Sequence, residues 1–581
     1  MGELETLRAQ HYEIRGRVTR KESHLSASVA YDCKVEDKTL VKSDVRSFTK
    51  LTDFQYTRGE DAVDAWERVI EEVYRSFSAG QRNELGKEGD AVISAFALPQ
   101  NALSAALDAQ QQLAHIPDVY GPDEKDNPTW QKLKMRIGLA TGPCYIGHAT
   151  SGNRRIPVFG GPVVDAAYLT EEASPVGGVA VDERTKQVLP IEYTPRTFKD
   201  RTVWVPTTHS IQPIRSNEDK TELLDANYYK AEIERLQAYE KYLDTFFPKP
   251  VLDLVGKEFP GRYQPATIFF AEMPMLHEIV EGAINKENPD DVKAAYDATF
   301  RALQPAIEQN GGIILKMYKD KVIAGFGIPH VEEKAMRHAR RMHRELTFGW
   351  RDEELMRLAH KYQAEHRPFL VGAIHHGRNI LTGVLGTQQR RGYDLLGDDV
   401  NIAARHAAQS MSTDDTDLRG PVRIIYSKEA LEQDREVTLV TKRVTRFVPK
   451  GKTHEFSGYV ITAEEEKKAK TLIGRDAEVK QLDELVNGLF TDNKSRVAHV
   501  SAPPGYGKTE LTKVLIEQFK AKQGEVYTAN SLEYARDVPD HVMQGLLRNV
   551  LGLREGQDKE QLEKAIAKVK EDKRYIVNQW L

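Results

Sequence analysis

Two aspartates open the chemistry of this chain: Asp44 in SDVRSFT and Asp90 in KEGDAVISAF, each at the end of a strand-like run. Two hard oxygen ligands held together at a sheet edge suit Mg2+, which keeps part of its water and takes further ligands from phosphate. A pair of such ions about 3.5–4 Å apart can activate an attacking oxygen and stabilise a leaving one. Farther on, Lys316 in LKMYKDKVIAGF and Asp394 in YDLLGDDVNIAAR offer a donor and an acceptor. That pattern matches adenine N1 and its exocyclic amine; guanine presents the reverse, so GTP would leave polar groups unpaired. Asn401 and Arg405 stand four apart on a helical stretch and so share a face. An amide and a guanidinium there can meet a ribose oxygen and a phosphate that gains charge during displacement. Taken singly, each pair is also what a turn or a solvated helix displays.

Repetition changes the odds. Aligned, Asp44 meets Glu272 (272 − 44 = 228) and Asp90 meets Asp320 (320 − 90 = 230). Asn401 meets Val164 and Arg405 meets Tyr168 (401 − 164 = 405 − 168 = 237). A near-constant offset marks an internal repeat. Each copy lacks what the other keeps, which predicts one shared active site at a pseudo-twofold interface, with metals from one copy and substrate groups from the other.

The elements that must position these groups follow from periodicity. In the first copy LVKSDVRSF, VISAFAL and MRIGLAT read as strands, with helices from Gly59 to about Phe77 and over 102–113. The second repeats the order with ATIFFAE, a helix near 291–309, VIAGFGI, a basic helix over 332–346 and FLVGAIHH. Two α+β domains are expected, each with helices on one face of an antiparallel sheet. Between them TELLDANYYKAEIERLQAYEKYLDTFF is charged and helically periodic, a connector. The predicted divisions are an N-terminal segment 1–30, copy one 31–215, the connector 216–262, copy two 263–465 and a third region 466–581.

The third region carries APPGYGKT, close to a Walker A loop: Gly505 and Gly507 permit tight turns, Lys508 can reach terminal phosphates and Thr509 can ligand Mg2+. Ala502 replaces the usual first glycine; VAHVS before it reads as a strand and ELTKVLIEQF after it as a helix. The start of an α/β P-loop domain, with a second nucleotide bound, is expected here. MRHARRMHREL reads as a solvated helix face, and His375-His376 as a strand end without a ligand cluster.

Composition bounds the rest. At 581 residues, 40% hydrophobic and 29% charged, this is a globular chain of two to four domains. A net charge of −5 offers no broad footprint for nucleic acid. No apolar run nears the ~20 residues that cross a bilayer, the opening residues lack a signal peptide's apolar stretch, and Cys33 and Cys144 stand far apart. A cytoplasmic protein is expected.

These strings resemble the class III nucleotidyl cyclases over roughly 35–460, and with the IGRD and GYGKT region appended they resemble the bicarbonate-responsive soluble adenylyl cyclases in particular. The resemblance implies two ferredoxin-like cyclase domains in a pseudo-twofold intramolecular dimer, followed by an NTPase region. It places the metal aspartates on Asp44 and Asp90, and adenine selection on Lys316 and Asp394. It places the transition-state groups on Asn401 and Arg405, and triphosphate binding on Arg136 and Lys450. The implied reaction converts ATP to 3′,5′-cyclic AMP and pyrophosphate with two Mg2+ ions, Mn2+ substituting. The rivals are a guanylyl cyclase and a catalytically silent sensor that regulates the NTPase region. Gly86 stands where the soluble family has its bicarbonate lysine, and Ala167 where an arginine is expected, which argues against bicarbonate activation.

Overall fold

The computed structural model describes residues 3–22, 25, 33–46, 84–88, 91–115, 118–122, 127–208, 210–211, 226–255, 261–349, 352–364, 370–386, 391–412, 421–434, 437–448, 455–466, 475–492, 494–501, 508–522, 526–527, 546–547 and 550. The chain forms two compact units: Met1–Arg435 with Leu439–Ala463, and Glu436–Thr438 with Glu464–Leu581. The larger unit opens with α1 (Glu3–Glu22), β1 (Lys34–Val45), β2 (Glu84–Glu88), β3 (Ala91–Phe96) and α2 (Pro99–His115). Short strands β4 (Val119–Pro122) and β5 (Pro128–Gln131) precede β6 (Met135–Ser151), β7 (Arg154–Gly160) and α3 (Pro162–Ala173). The first half closes with β8 (Val179–Val181), α4 (Glu183–Val188), β9 (Tyr193–Phe198) and β10 (Arg201–Pro206).

The connector α5 (Ala226–Asp244) and α6 (Lys249–Leu252) lead to the second half. There β11 (Arg262–Glu272), α7 (Pro274–Asn285), α8 (Pro289–Glu308), β12 (Gly312–Tyr318) and β13 (Lys321–Phe326) are followed by α9 (Ala335–Gly349) and α10 (Glu353–Lys361). Next come β14 (Leu370–Gly386), β15 (Arg391–Leu396), α11 (Asp398–Ser412) and β16 (Val422–Ser427). Then α12 (Lys428–Gln433), β17 (Val437–Phe447) and β18 (Phe456–Glu466) complete it.

Each half holds an eight-stranded sheet, and the two share one strand order: β2-β3-β1-β6-β8-β10-β9 with β7 beside β6, and β12-β13-β11-β14-β16-β18-β17 with β15 beside β14. The sheets are mixed, not antiparallel as the sequence suggested. Ile137 pairs in parallel with Val179, and Gly372 with Ile424. A helix between paired strands carries the chain back to its starting edge, and α3 and α11 do this before β8 and β16.

Period-2 alternation along β1 sends Leu40 and Val41 to opposite faces, and both are fully buried. On one face Val41, Val92 and Ile137 pack on Leu103 and Ala106 of α2. On the other Leu40, Ile93, Ala140 and Val163 join Ile268, Phe270, Tyr393 and Ala403 of the second half in a single apolar cluster. Burying each large side chain contributes about 1.5–3 kcal/mol, so the contact between the halves is part of the core of this unit. Polar contacts register it: Thr150 N–H donates to Asp297 Oδ1 (2.7 Å), Lys319 N–H donates to Phe159 O (2.8 Å), and Arg154 ion-pairs with Glu308 at 3.0 Å. The helix α1, unforeseen in the sequence, lies along α5 through Ile14, Val18, Ile233 and Leu236.

The smaller unit contains α13 (Asp476–Asp492) and α14 (Lys508–Ala521). The strand expected at VAHVS is not formed: residues 494–501 carry no regular structure, and Val497 is 92% exposed. A strand exists through its ladder, and no described residue pairs with this run. The helix expected over Gly59–Phe77 lies outside the described residues. The basic helix is anchored rather than solvated: Arg340 of α9 is buried against Asp434 at 2.8 Å, and His343 Nδ1 meets the Tyr426 hydroxyl at 2.5 Å.

Candidate active site

In the second half, Lys316 and Asp394 come together from positions 78 apart in sequence. The register between β12 and β13 shifts between Ile314 and Lys316, the kind of irregularity that re-aims a side chain. Lys316 Nζ donates to Asp394 Oδ2 at 2.7 Å, and Asp394 Oδ1 accepts from the Leu395 N–H at 2.8 Å. Each carboxylate oxygen therefore has a fixed donor, and the lysine keeps N–H groups beyond the one it gives Asp394. Both side chains are mostly buried, so the pair sits where polar complementarity is enforced by the cost of leaving a group unmatched.

Asn401 and Arg405 lie one turn apart on α11, whose first turn carries Asp398 and Asp399, the charge that favours a helix N-terminus. Asn401 is exposed and Arg405 half-buried. Nη1 of Arg405 is buried with no hydrogen-bond acceptor among the described residues. An unmet donor of this kind costs about 1–3 kcal/mol, which an anionic ligand would offset.

The first half places Asp44 near the end of β1, directly across the ladder from Arg136 on β6. Arg136 Nη2 lies 3.3 Å from Asp44 Oδ2 and 2.9 Å from Glu171 Oε1, while Nη1 donates to Glu172 O at 3.2 Å. The expected metal ligand and the expected phosphate ligand are thus neighbours. Burial pushes the Glu171 carboxyl up to about 7, against the pull of Lys42 and with Asp44 adding to the rise. Lys42 is itself buried and its Nζ sits 4.9 Å over the ring of Tyr168. Lys42 and Glu171 were not among the residues singled out from sequence. The signal available was alternation, which puts Lys42 on the Asp44 face of β1.

As a metal site, Asp44 is a hard, half-buried carboxylate of the type Mg2+ takes. Asp90 and Lys450 lie outside the described residues, as do Gly505 and Gly507. No group of three His, Cys, Asp or Glu side chains that could hold a metal ion is found among the described residues. Lys508 opens α14, with Thr509 next in the same helix.

Residues 31–205 match the adenylate and guanylate cyclase catalytic domain. This cyclase-matched region contains Asp44, Asp90 and Arg136. No curated protein matches the chain. Among solved structures, the chain is similar to a class III adenylyl cyclase-like ATP-binding protein from Pseudomonas aeruginosa, at 15% identity over 73% of this chain and 92% of that one, with a TM-score of 0.47. It is also similar to the adenylyl cyclase CyaB from P. aeruginosa (20% identity, 36% of this chain, 96% of that one, TM-score 0.28). The guanylate cyclase domain of RhGC from Catenaria anguillulae, solved with GTP, gives 18% identity, 35% and 99% coverage and a TM-score of 0.27. No described helix is long and apolar enough to cross a membrane.

Proposed function

We propose that the chain is an adenylyl cyclase, converting ATP to 3′,5′-cyclic AMP and pyrophosphate at one composite site to which the two halves contribute different groups as a pseudo-twofold pair. The observation that carries this reading is the Lys316–Asp394 pair at 2.7 Å, a donor beside an acceptor in a mostly buried setting. Lys316 would donate to adenine N1 and Asp394 accept from the 6-amine; guanine would face each group with its like. The apolar cluster common to both halves supports a shared site, since it brings the Leu40 strand and the Tyr393 strand into one core.

Asp44 and Asp90 would hold two Mg2+ ions, or Mn2+ in their place, which when bound supply Lewis-acid stabilisation of the phosphates and lower the pKa of the ribose 3′-hydroxyl. Asn401 would orient the ribose so that its 3′-oxygen lies in line with the α-phosphorus. Arg405 would donate from its unpaired Nη1 to the α-phosphoryl oxygens as their charge grows. Arg136 and Lys450 would hold the triphosphate, Arg136 exchanging its contact with Asp44 for phosphate oxygens while Glu171 keeps it oriented. Gly505, Gly507, Lys508 and Thr509 would bind a second nucleotide in the smaller unit. The test is product analysis with purified protein, Mg2+ or Mn2+, and labelled ATP or GTP. Cyclic AMP formed in preference to cyclic GMP is expected; no cyclic nucleotide from either would sink the reading.

A further inference from the structure

His375 and His376 are not at a strand end; they lie within β14, whose bounds are Leu370 and Gly386. His375 is 1% exposed and bridges two elements. Its Nδ1 lies 2.8 Å from Ser427 Oγ and its Nε2 3.0 Å from Asp399 Oδ1. The direction of these bonds follows from chemistry. Ser427 is the N-cap of α12, and its Oγ accepts from the Ala430 N–H at 3.1 Å. Its one hydroxyl proton is then free to go to His375 Nδ1, which leaves the imidazole proton on Nε2, where it donates to the Asp399 carboxylate.

Asp399 belongs to the first turn of α11, two residues before Asn401 and six before Arg405. Its carboxylate rests on the backbone of β14: a Cβ at Gly377 would come within 2.3 Å of Asp399 Oδ2. The start of α11 is thereby pinned to the sheet by one hydrogen-bonded chain, Ser427 to His375 to Asp399. His406, fully buried on the same helix, stacks on His375 at 6.1 Å and is edge-on to Phe447. Burial lowers the His406 imidazole to about 3, so it packs as a neutral ring. A serine, histidine and aspartate in a row suggest a hydrolase triad, but Ser427 is 0% exposed and its oxygen is committed to a helix cap. No substrate reaches it.

The first half has the same scaffold without this chain. Leu40 pairs with Ala140 as Ile268 pairs with His375, so His375 corresponds to Ala140. Ser427 corresponds to Asp182, which also caps the helix after the matching strand. Asp399 corresponds to Pro162 (399 − 237 = 162). The pin exists only in the half whose helix carries Asn401 and Arg405.

We propose that His375 is a positioning residue that holds the first turn of α11, and with it Asn401 and Arg405, in register with the sheet through Ser427 and Asp399. The inference rests on the cyclase reading above for its catalytic consequence and on the hydrogen-bonded chain alone for its structural one. The experiment uses the full chain with Mn2+ and labelled ATP, alongside amide hydrogen exchange. His375→Ala should lower kcat about 10- to 100-fold with KM within about twofold, the scale of a misplaced reacting group. His375→Gln, which keeps an acceptor and a donor, should recover most of that loss. In a background with both Asn401 and Arg405 changed to Ala, His375→Ala should cost no more than about twofold, because both groups it positions are already gone. Exchange at residues 399–402 should rise in His375→Ala while residues 163–166 stay unchanged. The proposal is overturned if His375→Ala and His375→Gln both match wild type. It is also overturned if the loss is equally large without Asn401 and Arg405, or if exchange rises in both halves alike. Wild-type protein that makes no cyclic nucleotide would refute the cyclase reading, and the exchange comparison would still decide whether the pin exists.

Discussion

The same two-layer position is filled oppositely in the two halves. Between α3 and the sheet of the first half, Glu171 of the helix meets Lys42, Arg136 and Asp44 of the strands, a charged cluster with Glu171 and Lys42 buried. The matching places in the second half hold Phe270, Ala408, Val371 and Glu272, with Val371 paired to Glu272 as Arg136 is to Asp44. On the helices the asymmetry reverses: α11 carries Asn401 and Arg405 where α3 carries Val164 and Tyr168. Both scaffolds keep a carboxylate at the strand end, Asp44 and Glu272, but only the first surrounds it with Lys42, Arg136 and Glu171, and only the second carries a cation on its helix at Arg405. A duplicated fold can divide one reaction between its copies only if both faces meet, and the apolar cluster shared by Leu40 and Phe270 is where they do.

Removing the carboxylate that defines the first half should have the largest effect. Asp44→Ala is expected to reduce metal-dependent cyclic AMP formation to background, because no neighbouring side chain in VKSDVRS supplies a second carboxylate. Arg405→Ala should lower kcat by about 10²–10³, comparable to losing one oxyanion donor, with KM for the metal–ATP complex little changed. Tyr168→Arg should not create a second centre: the new guanidinium would sit beside Lys42, and Val164 offers no amide. Steady-state kinetics on the three variants check this, and a Tyr168 substitution more damaging than Arg405→Ala would mean the halves are assigned the wrong way round.

Base choice sharpens the comparison next. Lys316→Glu with Asp394→Cys turns a donor into an acceptor and removes the fixed carboxylate, at about 1–3 kcal/mol per mismatched group. The ratio of ATP to GTP turnover should fall by roughly two orders of magnitude. An unchanged ratio in competition assays would place the base elsewhere.

The smallest effect concerns stability. Glu171 has its folded-state value raised to about 7 from 4.5 by burial, so the folded protein holds a proton that the unfolded chain releases. Its contribution is complete below about 4.5 and is lost as pH rises towards about 7. A shift of this size corresponds to at most about 3 kcal/mol. Glu171→Gln should flatten the fall of denaturation midpoint across that window; an unaltered slope would show that Glu171 is ionised throughout.

What could be read beforehand follows from which interactions leave a local trace. Alternation located β1, β3, β11 and β14, and helical spacing located α8 and the connector α5. The parallel pairing of β6 with β8 left no mark, since a strand buried on both faces reads alike in either direction. Lys42 and Glu171 look like surface charges in the sequence; only the packing of α3 on β1 makes them interior. Lys316 and Asp394 were recognisable as a donor and an acceptor, but their meeting depends on the register shift in β12. The apolar letters of VAHVS suggested a strand because periodicity cannot report whether a partner is present.

The division of labour within one chain is tested most directly by mixing two full-length inactive proteins, Asp44→Ala and Arg405→Ala. Each spoils a different half, and if the site is built inside one chain every molecule in the mixture carries one fatal change. Cyclic AMP formation in the mixture is then expected to stay at the average of the two variants at all protein concentrations. Recovery towards about a quarter of wild-type activity, rising with concentration, would show that the site is assembled between chains and would contradict that division.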